Sequence, residues 1–183
     1  MLTAIVLARE DIREYDQRIT LYTHERGLVV AHATGVKKIA SKQSPRLEPG
    51  MLVHAEVVRA GSGDKLVAAE PIAHYPQIRR SYRRALVVQY VLGLAASTAF
   101  PGQPDRALFD FLRIFLGVAA RIPEQAMNTL CVRALWRFMA LLGYGHNGIA
   151  SSLSGTRNDI RAWEQFATYH LEREITVPPY VTF

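Results

Sequence analysis

Hydrophobic and polar positions alternate with a period of two over residues 17–23 and 51–60, and after Pro76 the period switches to the helical value of about 3.6. Residues 17–23 set Ile19, Leu21 and Thr23 on one face and Arg18, Thr20 and Tyr22 on the other. Residues 51–60 set Met51, Val53, Ala55 and Val57 against Leu52, His54, Glu56 and Val58. Residues 3–7, 28–34 and 65–72 read as three further strands, rich in β-branched side chains. His24-Glu25-Arg26-Gly27 and Gly61-Ser62-Gly63-Asp64 read as hairpin turns. Five short strands in this span predict a small closed barrel, because closure removes exposed edges.

The helical half has clear punctuation. Residues 78–99 read as one helix, ended by Pro101-Gly102-Gln103-Pro104. Pro104 suits the first turn of a second helix running to about Arg121, with Leu108, Phe111, Leu112, Phe115 and Leu116 on one face. Pro123 opens a third helix to Leu142, with Gly143 as its C-terminal cap. Residues 143–155 read as a loop, and Thr156 can cap a fourth helix over about 157–173. The expected class is α+β in two parts: a barrel domain over residues 1–76 and an all-α domain over 77–183.

The charge changes this picture most. The formal net charge is +6, and the isoelectric point of about 9.7 favours polyanionic partners. The cations cluster. The 35–50 loop holds Lys37, Lys38, Lys42 and Arg46 and, through Arg46, no acid. It links two barrel strands, as ligand-lining loops do in such modules, and can track a phosphate backbone. The alternative is a solvated loop. Arg79, Arg80, Arg83 and Arg84 fall within six residues. On a continuous helix their i,i+4 spacing is repulsive, and either an anion or internal carboxylates would relieve it. Arg133 and Arg137 flank Trp136 and Phe138 and could seat an acidic peptide terminus, or form ordinary helix surface. Tyr15 and Tyr22 are candidates for base stacking or for the core.

Catalytic chemistry has little support. There is no P-loop, G-x-G-x-x-G, H-E-x-x-H or G-x-S-x-G pattern, and Asp105 and Asp110 lack a metal-binding pattern. His32 and His54 could meet across neighbouring strands. The one cysteine, Cys131, lies in an apolar stretch and reads as a buried thiol; it excludes a zinc site built on two or four cysteines of this chain. Residues 85–100, interrupted by Gln89, Gly93, Ser97 and Thr98, are shorter than the ~18–20 residues of a membrane span. No signal-peptide pattern precedes Arg9-Glu10-Asp11. A cytoplasmic protein without cofactor, metal or membrane partner is expected.

Several of these segments, in order, resemble the RecO recombination-mediator family. They are Thr3-Ala4-Ile5-Val6-Leu7, Ile19-Thr20-Leu21-Tyr22-Thr23-His24-Glu25-Arg26-Gly27, Thr34-Gly35-Val36-Lys37-Lys38 and Leu47-Glu48-Pro49-Gly50. Ala107-Leu108-Phe109, Leu141-Leu142-Gly143-Tyr144-Gly145 and Tyr169-His170-Leu171 are similar to its helical part. The resemblance implies an N-terminal OB-fold, binding of single- and double-stranded DNA, strand annealing, and help to RecA in displacing single-strand-binding protein together with RecR. It implies DNA contacts at Lys37, Lys38, Lys42 and Arg46, and docking of the acidic tail of single-strand-binding protein on the helical domain. One departure stands out. Many members carry a four-cysteine zinc module where this chain has His146 to Gly155, which puts the RecR contact in doubt. The contrasting reading is a protein-interaction adaptor that binds acidic partner tails and no nucleic acid.

Overall fold

Five strands close into a barrel in the order β1-β2-β3-β5-β4: β1 (Leu2–Asp11), β2 (Gln17–Thr23), β3 (Gly27–Ala33), β4 (Leu52–Ala60) and β5 (Gly63–Ala73). The computed structural model describes residues 1–36, 44–61, 63–144 and 156–171, the side chains of Ser44 and Pro45 excepted. All pairings are antiparallel except β3 with β5, which closes the barrel through two parallel register pairs, Ala31 with Asp64 and His32 with Lys65. The β1 register shifts between Val6 and Ala8, and this bulge lets one strand pair with β2 along its length and with β4 at its start. This is an OB-fold barrel followed by helices.

The alternation expected in β2 and β4 is realised. Ile19, Leu21, Val53 and Ala55 point into the core with Ala4, Val6, Val29, Ala31, Leu66 and Ala69. Leu47, from a short 3-10 turn at Ser44–Leu47, is fully buried in the same core, as is Val36 at 6% exposure. Buried residues therefore bracket the basic segment at both ends. Lys37, Lys38 and Lys42 themselves lie outside the described residues.

Tyr22 departs from the alternation. It sits on the outer barrel face, in register with Ile5, yet both are buried. Residues Leu92–Leu116 form one compact unit with Met1–Tyr75, which explains the cover. The Tyr22 hydroxyl accepts from the Asp105 N–H at 3.1 Å and donates to the Asp105 carbonyl at 3.3 Å. Burial raises the phenol above its ordinary value, so it keeps the proton it donates. Tyr22 is thus core, not a stacking surface. Gly27, at φ +67°, lets the 100–103 turn approach the β2–β3 turn, where the Leu28 N–H donates to the Phe100 carbonyl at 3.3 Å.

The second unit is Pro76–Val91 with Gly117–Phe183. The long helix expected over 78–99 is two helices, α1 (Pro76–Arg80) and α2 (Tyr82–Thr98). Ser81 breaks it by capping α2, its hydroxyl accepting from the Arg84 N–H at 3.2 Å. α3 (Arg106–Arg121) begins after Asp105, whose carboxylate accepts from the Ala107 and Leu108 N–H groups at 2.8 and 3.1 Å. Pro104 therefore precedes the cap and is not in the first turn. A 3-10 turn at Glu124–Ala126 leads into α4 (Met127–Leu141), and Gly143 follows at φ +90°. Thr156 and Asp159 cap α5 (Arg157–Leu171) reciprocally. No helix among the described residues is long and apolar enough to cross a membrane.

Candidate nucleic-acid interface

A cleft of about 460 Å³ opens at one end of the barrel. Its walls are the β1–β2 turn (Ile12, Arg13, Asp16), the end of β3 (His32, Thr34) and the β4–β5 hairpin (Ala60, Gly63, Asp64, Lys65). These two loops flanking the β2–β3 face are where OB-folds take oligonucleotides. Asp16 builds the site. Its backbone carbonyl accepts from the Ile12 and Arg13 N–H groups at 3.1 and 3.3 Å, which shapes the turn. Its carboxylate accepts from the Gly35 N–H at 2.8 Å, so the chain leading to Lys37 starts from the cleft wall.

The cleft adjoins a row of titratable side chains. Arg18, His32 and Lys65 are register neighbours across β2, β3 and β5, and all three are exposed. Directly opposed residues on neighbouring strands place their Cβ atoms ~5 Å apart. Glu10 partly neutralises Arg18 through an ion pair. Arg13 is exposed on the turn beside them. Tyr15 is exposed on the same turn and hydrogen-bonds Glu14, which raises its phenol above the ordinary value. His54 does not join this row: it pairs with Thr3 and Glu70, so the two histidines do not meet.

The cations singled out in the sequence fall into two groups. Arg46 reaches the Ala69 carbonyl at 3.4 Å, satisfying β5 beyond the end of β3. Arg83 donates to Asn128 Oδ1 at 2.6 Å. Arg84 donates to the Ala119 carbonyl and, at 2.6 Å, to the Ile122 carbonyl, so it caps the C-terminal end of α3. Arg83 and Arg84 thus both reach carbonyl oxygens of their own unit. The break at Ser81 also removes the continuous helix on which the i,i+4 repulsion was reckoned. Arg79, Arg80, Arg133 and Arg137 are exposed. Trp136 and Phe138, between and beside the last two, are buried, with Trp136 packed on Phe166 at a ring separation of 5.1 Å. Cys131 is buried, and its burial pushes the thiol up to about 12. Among the described residues no group of three His, Cys, Asp or Glu side chains could hold a metal.

Sequence reasoning missed Arg13, Asp16, Arg18, His32 and Lys65 as a set. The available signal was their position: Arg18 and His32 are polar positions of alternating strands, and Arg13 and Lys65 adjoin turns.

The closed five-strand barrel defines the class of this protein's first part, an OB-fold module. Residues 1–75 match the family model described as Recombination protein O N terminal. The chain is 28% identical over 142 residues to the DNA repair protein RecO of Gloeothece citriformis, covering 77% of this chain and 50% of that protein. It is 34% identical over 127 residues to that of Anaeromyxobacter dehalogenans (68% and 50%). To that of Geobacter metallireducens it is 35% identical over 113 residues (62% and 46%). The chain belongs to the RecO family, and it spans about half the length of the curated relatives it matches.

Proposed function

We propose that this chain is a non-enzymatic DNA-binding protein of recombinational repair. It binds single- and double-stranded DNA, anneals complementary strands, and assists RecA loading onto strands coated by single-strand-binding protein, with RecR as a functional partner, in the cytoplasm. The observation that carries this reading is the row of exposed cations, Arg13, Arg18 and Lys65, at the cleft of the OB-barrel, where Gly35, two residues before Lys37, is held by Asp16. Arg13 and Lys65 contact the backbone of the bound strand, and Lys37, Lys38 and Lys42, which follow Gly35 in the sequence, contribute further phosphate contacts. Annealing needs no nucleotide hydrolysis. Neutralised phosphates repel each other less, and base pairing then drives the two strands together.

In the second unit, the exposed Arg80 is the member of the arginine cluster offered first to DNA, with Arg79 exposed beside it, while Arg83 and Arg84 hold acceptors of their own unit. Arg133 and Arg137, exposed on α4, are offered to the acidic tail of single-strand-binding protein.

The test is fluorescence anisotropy of a labelled oligothymidylate over a salt series. Two variants are compared with wild type: Lys37→Ala/Lys38→Ala/Lys42→Ala and Arg13→Ala/Lys65→Ala. Each lost phosphate contact lowers the log–log salt slope by about 0.7 on single strands. Unchanged slopes in both variants refute the interface. Absence of binding at low salt refutes the DNA reading and leaves the adaptor of acidic tails.

A further inference from the structure

The floor of the cleft carries the wrong charge for a phosphate. Two carboxylates, Asp16 and Asp64, line it. Asp16 is engaged with Gly35. Asp64 has a side chain only 9% exposed; its Oδ2 accepts from Arg26 at 2.8 Å, while Arg59 approaches its Oδ1 only to 3.8 Å, too far for a hydrogen bond. Oδ1 is buried and has no hydrogen-bond partner. A buried acceptor without a donor is costly, and a ligand that brings an N–H removes the cost. A phosphodiester brings no donor and adds like charge.

A nucleobase with an exocyclic amino group brings a donor. The remaining lining suits a flat ring: Ile12 and Ala60 are apolar, and a Cβ at Gly63 would meet no atom within 4 Å. Arg13 and Lys65 are exposed at the same cleft, where the flanking phosphates of a strand would run. The Arg59 side chain is 81% exposed and can leave Oδ1 without giving up packing.

We propose that this cleft seats one unpaired nucleobase bearing an exocyclic amino group, with Asp64 accepting a hydrogen bond from that group; the proposal rests on the DNA-binding reading above. Thymine is the base it disfavours. Its only ring N–H lies between two carbonyl oxygens, which would face the carboxylate.

The test compares labelled dC and dT 12-mers and a dC 12-mer in which every base is N4,N4-dimethylcytosine, all with the full chain at matched salt. The dC oligomer should bind roughly ten- to a hundredfold more tightly than dT, the scale of one hydrogen bond to a charged group. Dimethylation should remove the advantage. Asp64→Leu should bring the dC/dT ratio near one with the salt slope kept. Because Asp64 also holds Arg26, Arg26→Ala is the companion variant: it loses the same ion pair and should keep the preference. Equal wild-type affinity for all three oligomers, with an ordinary salt slope, overturns the base seat and leaves the DNA reading standing. Absence of binding to every oligomer at low salt overturns both.

Discussion

Replacing Gly27 by alanine should destabilise the barrel unit by about 3–4 kcal/mol. Two costs combine at this position. The residue sits at φ +67°, where a Cβ costs roughly 1–2 kcal/mol. That Cβ would also lie 2.5 Å from the Gln103 carbonyl oxygen, 2.8 Å from the Gln103 carbonyl carbon and 3.0 Å from the Phe100 oxygen. These are backbone atoms that cannot rotate aside, so the 100–103 turn must retreat. Retreat breaks the bonds from Leu28 N–H to the Phe100 carbonyl (3.3 Å) and from Gly102 N–H to the Arg26 carbonyl (3.1 Å), each worth about 1 kcal/mol net. Gly102→Ala is the matched control in the same unit: φ is +74°, but a Cβ there meets nothing within 4 Å, so only the backbone strain applies. Urea titration followed by far-UV circular dichroism should separate the two variants by about 1 M in midpoint. Trp136 and Trp163 both lie in the second unit, so their fluorescence reports that unit separately. Equal midpoints for the two alanine variants would refute the close-approach argument.

Arg84→Ala should lower the second unit's stability by about 2 kcal/mol, because charge-assisted bonds to two carbonyls at the end of α3 are lost, whereas Arg80→Ala should stay within about 0.5 kcal/mol of wild type; equal shifts in a tryptophan-monitored melt would count against the capping role. The Cys131 thiol, pushed up to about 12, should resist a disulfide reagent at pH 8 until denaturant is added. Its folded value lies above the ordinary 9.0, so the folded state holds the proton longer. The thiol should therefore contribute a fall in stability of up to about 1.4 kcal/mol per pH unit as pH rises from about 9 toward about 12, a contribution that Cys131→Ala should remove while that of the buried Tyr22 remains.

The barrel was legible because its strands are local patterns: Ile19, Leu21, Val53 and Ala55 reach the core that period-two alternation assigns them. Tyr22 was not, since its cover comes from Asp105, 83 residues along the chain. Ser81 and Asp105 are helix caps that standard signals describe, yet the prolines beside them, Pro76 and Pro104, drew the boundaries elsewhere. The arginine run was visible as charge, but its division was not. Arg84 is set apart from Arg80 by the carbonyls of Ala119 and Ile122, whose position depends on how α3 ends beside α2. The cleft was least legible of all, because residues 12–16, 32–34 and 60–65 come together only through the parallel pairing of β3 with β5, which leaves no local trace in the sequence.

That pairing also explains why the site lies where it does. β3 ends at Ala33, two residues after it meets Asp64, while β5 continues to Ala73. Beyond the two shared register pairs the strands part company, and the barrel wall there must be completed by other means. Leu47 fills the core, and Arg46 donates to the Ala69 carbonyl at 3.4 Å. On the other side of the junction, Asp16 holds Gly35 as the chain leaves β3. Val36 and Leu47 are thus both held in the barrel core. The two-pair closure thus sets Asp64 and Lys65 beside His32, while Asp16 holds Gly35 at the same cleft, so walls from distant parts of the chain are assembled at the β3–β5 junction.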